Sequence, residues 1–425
     1  MTSFSIQNFG CRVNQAEAFD WADEFRRLGW RLEEDASLGS VVVVNTCTLT
    51  SRADRDVRSF IRKVARENPG GRIVVTGCLA ERDPDDLKKI PGVWRVIPNA
   101  AKAGLPAEVA AGAVVERISL EATETSIPYL ARALVKIQDG CNQACSFCVI
   151  PSVRGRSVSR PSADVLARID ALTADGFREI VLAGIHLCSY GRDLSPRSSL
   201  LELLREIDHL RGEFRLRLSS LDPRLLSDPL LDHVCRTPRI SPHFHLSLQH
   251  GSDRILTAMG RGSTAAQYRA LAGAIADRAP EANIGADFIV GFPGETDDDF
   301  QATAALLEET PLHYAHVFSY SARPGTTAAA AAPVEAAVVK VRATHLRRLS
   351  QEKSFVYRRR FSGRVLDGIV IQRKTGGLEI LTSNYLEVFV PETCAPKGAA
   401  VRVRIIRVGE RVTTGEICDN SGLIP

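Results

Sequence analysis

Cys141, Cys145 and Cys148 stand in a C-x3-C-x2-C spacing inside KIQDGCNQACSFCVI, residues 136–150, directly after a short apolar run. Three thiolates packed into eight residues converge only if a soft metal or an iron–sulfur cluster gathers them. A structural zinc site wants a fourth Cys or His close by, and the next candidate, His186, lies far downstream in another segment. Three ligands with one open coordination position fit a cluster that does chemistry better than one that staples a fold. Zinc is the competing reading.

A second set of cysteines is dispersed. Cys11 in GCRVNQ, Cys47 in NTCTLT and Cys78 in TGCLAE each follow, within two residues, a short β-branched run: Phe4 to Phe9, Val41 to Asn45 and Arg72 to Thr76. Helical patterns come after them, at about Gln15 to Leu28, Ala53 to Glu67 and Pro84 to Lys89. Such alternation builds right-handed βαβ units and a parallel sheet. The carboxyl ends of its strands share one edge, where ligands bind, so three cysteines distant in sequence are expected to meet there and hold a second cluster. For a single Cys, a small buried residue at a strand-to-helix turn is the simpler account. Three at equivalent positions favour ligation.

The C-x3-C-x2-C motif with Phe147 before its last Cys resembles the signature of the radical S-adenosylmethionine enzymes, and IQDGCNQACSFCVIPSVRG resembles their methylthiotransferase branch. The resemblance implies that Cys141, Cys145 and Cys148 hold a four-iron cluster. Its fourth iron binds the amino and carboxylate groups of S-adenosylmethionine, and one electron cleaves the cofactor to a 5′-deoxyadenosyl radical. It also implies an auxiliary four-iron cluster on Cys11, Cys47 and Cys78, concerned with the transferred sulfur. FGCRVNQAE, GIHLCSYGRD and HVFSYSARPGT look like the branch acting on N6-threonylcarbamoyladenosine at C2, at tRNA position 37. The isopentenyladenosine branch typically has Gly-Cys-Gln-Met-Asn at the first of these, and the ribosomal-protein branch Gly-Cys-Pro-Lys-Asn. Those two branches, and a non-catalytic iron–sulfur RNA-binding protein, are the alternatives. Cys188, where Gly is more usual, and His250 in LQHGS, where Ser is more usual, depart from the pattern.

With 425 residues, 24% charged and 44% hydrophobic, the chain is long enough for two or three domains of ordinary globular composition. No apolar run approaches a membrane span, and Met1 leads almost at once into FSIQNF without a secretory signal. A cytoplasmic location with no membrane contact is therefore expected, and it suits cysteines kept reduced. Charge is uneven: residues 340–425 carry 16 Lys and Arg against 8 Asp and Glu, although the whole chain is only +4.

Strand patterns in the central region fall near Ala133 to Gln138, Glu179 to Ala183, Phe214 to Leu218, His243 to Gln249, Asn283 to Val290 and His313 to Ser319, with helices such as Ser162 to Ala174 and Ala265 to Arg278 between them. Six strands fit a partial (β/α)6 barrel of radical S-adenosylmethionine type, whose chemistry sits in the loops after the strands. By resemblance, Gly184 lies where backbone meets the amino-acid end of S-adenosylmethionine, a place that allows close approach. His186 belongs to the same cofactor or substrate region, and Tyr190 is a further candidate there. GFPGET reads either as a helix start capped by Thr296 and the acidic residues Asp297 to Asp299, or as a cofactor contact. Arg154, Arg156 and Arg160 in RGRSVSR read either as solvated surface or as groups that position phosphates or a carboxylate beside the cluster, with Arg154 and Arg156 as candidates for substrate RNA.

Thr326 to Ala332 reads as a flexible connection into a helix from about Pro333 to Tyr357. Beyond Gly363 short strands alternate: Val365 to Ile371, Leu378 to Leu381, Leu386 to Val390, Ala400 to Val408 and Thr413 to Ile417. They predict a small β-barrel that resembles the TRAM domain, with Arg402 and Arg404 on one face for RNA. The fold class is thus α/β. The expected domains are 1–112, an open parallel sheet with the auxiliary cluster; 113–126, a linker; 127–357, the radical domain; and 358–425, the TRAM-like barrel. The expected partners are tRNA, a reducing protein such as flavodoxin or ferredoxin, and a sulfur donor.

Overall fold

A computed structural model describes residues 2–112 and 131–419. The linker expected at 113–126 lies outside them. The described residues divide into two compact units: 2–112, 139–157 and 321–326 form the first, and 131–138, 158–320 and 327–419 the second.

In the first unit, five strands make one parallel sheet: β1 (Ser3–Asn8), β2 (Arg31–Leu32), β3 (Val41–Thr46), β4 (Arg72–Gly77) and β5 (Val93–Ile97), in the order β2-β1-β3-β4-β5. The three cysteine-bearing strands β1, β3 and β4 are neighbours, with Phe4 opposite Val41 and Val41 opposite Arg72. Every residue of VVVVNT in β3 is buried, as a central parallel strand covered on both faces requires. Helices α1 (Arg12–Arg27), α2 (Ser51–Glu67) and α3 (Cys78–Arg82) follow β1, β3 and β4. The side chain of Thr50 caps α2 by accepting from the Ala53 amide at 3.1 Å. Strands β2 and β5 escape the hydrophobic pattern: one is two residues long, and the other, VWRVI, is mostly half-buried at the sheet edge. After β5 the unit adds a helical segment, Leu105–Gly112.

The second unit carries the central strands β6 (Ala133–Asp139), β7 (Val158–Ser159), β8 (Glu179–Gly184), β9 (Arg215–Leu218), β10 (His243–Gln249), β11 (Asn283–Val290) and β12 (Tyr314–Ser319). They form sheets of order β7-β6-β8-β9 and β10-β11-β12, joined by the parallel bridge of Leu221 to Leu246. β6 and β8 to β12 supply the six strands of the partial barrel. Thr296 and Asp299 form a reciprocal capping box on the helix Asp297–Glu309. Residues 327–330, expected to be flexible, form a 3-10 turn before the helix Ala336–Arg359.

Strands β13 (Val365–Lys374), β14 (Gly377–Thr382), β15 (Glu387–Pro391), β16 (Ala400–Val408) and β17 (Thr413–Asp419) close into a barrel of order β13-β14-β15-β17-β16. Tyr357 and Phe361, at the end of the long helix, pack into its core with Val370, Ile380, Val388 and Val403. No helix among the described residues is long and apolar enough to cross a membrane.

Candidate iron–sulfur and cofactor site

The carboxyl edge of the first unit's sheet holds the dispersed cysteines. Cys11 is the N-cap of α1, Cys47 follows the last residue of β3, and Cys78 opens α3 directly after β4. Their thiols feel one another electrostatically: Cys47 interacts with Cys78 and Cys11, and Cys78 with Cys11. The glycine before Cys11 makes this approach possible. Gly10 has a φ of +128°, and a Cβ there would sit 2.8 Å from Cys47 Cβ and 3.3 Å from its Sγ.

Asn14, one turn into α1, ties the edge together. Its Nδ2 donates to the Thr46 carbonyl at 2.9 Å and to Asn45 Oδ1 at 3.1 Å, while its Oδ1 accepts from Cys11 Sγ at 3.3 Å. Thr46 Oγ1 donates to the Thr76 carbonyl at 2.6 Å and accepts from the Leu79 amide at 3.0 Å, which fixes the turn that carries Cys78.

The contiguous cysteine loop, residues 139–157, belongs to the same unit. The Cys141 amide donates to the Gly155 carbonyl at 3.1 Å, and the Cys148 amide to the Cys145 carbonyl at 3.1 Å, folding the motif into a compact turn. Gly140 has a φ of +66°, and a Cβ there would strike the Arg156 carbonyl oxygen at 2.0 Å. The short helix Ile150–Arg154 then packs Val149 and Val153 against Cys78.

Arg154, expected to meet RNA phosphates, is placed otherwise. Its side chain is fully buried. Its Nε donates to Cys78 Sγ at 3.3 Å, Nη1 to Glu17 at 3.0 Å and Asp139 at 2.7 Å, and Nη2 to Asn14 Oδ1 at 2.6 Å. Lys102 pairs with Glu17 at 2.6 Å and Asp139 at 3.3 Å. Two buried cations thus face two carboxylates. The phosphate role is withdrawn for Arg154, because a guanidinium with no exposed surface and four engaged partners has nothing to offer a phosphate. Arg156 is exposed.

Burial pushes the Cys47 thiol up to about 12 and raises that of Cys78, with Arg154 working against the rise at Cys78. Thiolates therefore accumulate at this edge only with a positive centre to bind. Three sulfur donors beside a guanidinium that donates to one of them suit an iron–sulfur cluster. The residues fit the group, and the contiguous loop supplies a second set of three.

In the second unit, Gly184 ends β8 and is closely packed: a Cβ there would lie 3.1 Å from Leu187 Cα and 3.2 Å from Gln138 Oε1. The same Gln138 Oε1 accepts from the His186 amide at 2.8 Å. His186 Nε2 meets Asp222 Oδ2 at 2.9 Å. Despite burial, hydrogen bonds from Arg224 and His186 hold the Asp222 carboxyl well below the carboxylate range. Tyr190 donates to the Arg160 carbonyl at 2.8 Å and is buried, a packed role. Burial pushes the Cys188 thiol up to about 12, that of a core residue. His250 is likewise a satisfied core histidine: it is buried, its Nε2 lies 3.3 Å from Glu295 Oε2, and its Nδ1 accepts from the Ser252 amide. In GFPGET, Glu295 Oε2 accepts from the Gly291 amide at 2.8 Å and its Oε1 from Arg342 at 2.6 Å, so this glutamate organises the loop from inside.

Arg402 and Arg404 stand on the exposed face of β16 while Val401, Val403 and Ile405 are buried, as the alternation predicts. Each has a loose acidic neighbour: Asp367 at 4.0 Å from Arg402, and Glu416 at 3.4 Å from Arg404.

Asn14, Glu17, Lys102 and Asp139 were not anticipated as site residues. Asn14 and Glu17 lie within FGCRVNQAE, three and six residues after Cys11 on one side of α1, and that spacing was the available signal. Nothing in the sequence distinguishes Lys102. Arg323 of HVFSYSARPGT is a further buried anchor, paired with Asp54, whose carboxylate also takes Arg82 at 3.1 Å.

Known proteins match this arrangement. A model described as radical SAM superfamily covers residues 135–307, and one described as uncharacterized protein family UPF0004 covers residues 3–97. A solved radical S-adenosylmethionine methyltransferase from Kitasatospora setae superposes with a TM-score of 0.56 at 16% identity, covering 77% of each chain. The fold and the contiguous cysteine loop thus define a radical S-adenosylmethionine enzyme, with the four-iron cluster and S-adenosylmethionine that this class uses. A threonylcarbamoyladenosine tRNA methylthiotransferase of Aquifex aeolicus is 34% identical over 90% of this chain and 95% of its own. Its counterpart in Thermotoga maritima is 32% identical over 86% and 85%. A tRNA-2-methylthio-N(6)-dimethylallyladenosine synthase of Streptomyces griseus is 33% identical over 95% and 85%. The chain belongs to the radical S-adenosylmethionine methylthiotransferase family.

Proposed function

We propose that this enzyme replaces the C2 hydrogen of N6-threonylcarbamoyladenosine, at position 37 of tRNA, with a methylthio group. Cys141, Cys145 and Cys148 hold the radical cluster. Cys11, Cys47 and Cys78 would hold an auxiliary four-iron cluster concerned with the transferred sulfur, and Gly184 and His186 belong to the cofactor or substrate region. When bound, the radical cluster and S-adenosylmethionine supply the 5′-deoxyadenosyl radical that removes the C2 hydrogen, while the protein aligns the partners and excludes water. Asn14 and Arg154 orient the auxiliary cysteines. Arg156, Arg402 and Arg404 meet tRNA phosphates, so binding weakens with salt. A reducing protein such as flavodoxin or ferredoxin and a sulfur donor complete the reaction.

The observation that carries this reading is the second cysteine set, Cys11, Cys47 and Cys78, assembled at one sheet edge in a chain 34% identical to a threonylcarbamoyladenosine tRNA methylthiotransferase. The second reading, action on the isopentenyl nucleoside, is favoured by the 33% identity to the Streptomyces griseus synthase.

Nucleoside mass spectrometry of tRNA from a deletion strain, complemented with the wild-type gene or with Cys47→Ala, tests both. Loss of the 2-methylthio threonylcarbamoyl nucleoside, restored by wild type alone, is the expected result. Loss of the isopentenyl counterpart instead moves the substrate to the second reading, and no change in either nucleoside rejects tRNA as substrate.

A further inference from the structure

Three neighbouring parallel strands of the second unit place a cluster of ligating side chains that the proposed chemistry does not use. His245 on β10, Asp287 on β11 and His316 on β12 each offer one donor atom, and the three atoms lie within 4.8 Å of one another. Asp287 Oδ1 is the hub, 2.8 Å from His245 Nε2 and 3.5 Å from His316 Nδ1. Strand register produces this. Asp287 pairs directly with His316, and His245 pairs with Gly285, two residues before Asp287 on the same side of the sheet. Phe244, Leu246, Ala286 and Phe288, one residue out of phase, are all buried on the other face.

The surroundings suit a ligand set. A Cβ on Gly285 would fall 1.9 Å from Tyr314 Cζ, so its missing side chain is what lets the Tyr314 ring cross the sheet. Tyr314 Oη then lies 3.0 Å from His245 Nδ1 and 2.7 Å from His243 Nε2. The hydrogen bonds are self-consistent when His245 Nδ1–H donates to Tyr314 Oη and the Tyr314 hydroxyl donates to His243 Nε2. That is the tautomer a bound ion would select by replacing the Nε2 proton, which without an ion is shared with Asp287 Oδ1 at 2.8 Å; a metal-ligating histidine keeps such an outer partner on its other nitrogen. Two donors each bonded at 2.0–2.2 Å to one metal stand about 3–3.5 Å apart, and the two distances to the hub bracket that spacing. His245 and Asp287 are largely enclosed, at 9% and 19% side-chain exposure, whereas His316 is 55% exposed and leaves coordination positions open on its side.

We propose that His245 Nε2, Asp287 Oδ1 and His316 Nδ1 are the protein ligands of a divalent first-row transition ion such as zinc, a two-histidine, one-carboxylate site with open positions for oxygen ligands. Its ligands include none of the cysteines, and the proposal stands whether or not the tRNA substrate reading holds.

The test uses full-length enzyme with its cysteine clusters reconstituted, dialysed against micromolar buffered zinc, followed by elemental analysis of zinc and iron in the same sample. Wild type is expected to retain about one zinc per chain. His316→Ala, whose exposed ring leaves the fold intact, should retain about tenfold less, and Asp287→Asn likewise, with iron unchanged in both. Zinc-edge X-ray absorption should show nitrogen and oxygen neighbours at about 2.0–2.1 Å and no sulfur shell near 2.3 Å. No retained zinc, equal retention by His316→Ala, or a sulfur shell would each overturn the proposal. In the first case the cluster is an ordinary His–Asp hydrogen-bond pair with a nearby histidine.

Discussion

The Nε–H of Arg154 donates to Cys78 Sγ at 3.3 Å while the rest of the same guanidinium is held by Glu17, Asp139 and Asn14. One side chain from the contiguous cysteine loop therefore reaches the last of the dispersed cysteines. The guanidinium is kept charged, against its desolvation, by Glu17, by Cys78 and by Asp139.

Replacing Arg154 by Gln should lower stability by about 3–5 kcal/mol, because Glu17 and Asp139 lose a buried partner. Urea denaturation of the cluster-loaded protein measures this, and an unchanged midpoint would contradict the buried network. On the proposed assignment of Cys78 to an auxiliary cluster, loss of this donor should also shift one of the two cluster potentials negative. A variant that only loosened the fold would leave both potentials in place.

Gly10→Ala should act on both fold and iron content. The φ of +128° and the 2.8 Å approach to Cys47 Cβ leave no room for the methyl group. A loss of about 1–3 kcal/mol is expected from backbone strain. If Cys47 ligates the proposed auxiliary cluster, displacing it should drop iron from about eight to about four per chain after reconstitution. Full iron loading of Gly10→Ala would show that this edge does not set the auxiliary site.

His313 predicts a pH dependence. Its Nδ1 accepts from the Ile284 amide at 3.1 Å and its ring stacks on Tyr357 at 4.1 Å. Burial, with Arg360 and Lys353 nearby, lowers its pKa to about 3. A histidine held neutral in the fold takes up its proton more readily when unfolded, so its contribution is complete above about pH 6.5 and falls as pH drops below that value toward 3. The slope from this group is at most about 1.4 kcal/mol per pH unit. Denaturation midpoints between pH 7 and 5 should be measured for wild type and His313→Phe, and parallel curves would rule out this histidine as the source.

Arg402→Gln and Arg404→Gln should leave the thermal midpoint nearly unchanged, since exposed ion pairs at 4.0 and 3.4 Å contribute little. Each should reduce the slope of log affinity for tRNA against log salt by about one if it neutralises a phosphate. Slopes equal to wild type would remove this face from the tRNA interface.

Local pattern carried much of the architecture. Alternation of β-branched runs with helical periods placed β1, β3 and β4 within a residue or two, and β10 and β11 at their observed bounds, because parallel strands buried on both faces read as continuous apolar runs. Each dispersed cysteine follows such a run, so their common edge could be inferred from topology alone. The two-residue β2 and the edge strand β5 could not be seen, since neither is buried enough to imprint a pattern.

What the sequence determined by itself was therefore the class: six cysteines at two kinds of spacing, a six-strand α/β series and a terminal small barrel, all written in local periodicity and motif. What only the tertiary structure decided was which charged residues are buried and whom they meet. Arg154 read as an exposed phosphate ligand because exposure is the common state of arginine. It is buried because Asn14, Glu17 and Cys78, from segments far from it in the chain, and Asp139 converge on it, and no local pattern encodes a partner from another strand or loop. His245, Asp287 and His316 follow the same logic, for their proximity is a product of strand register.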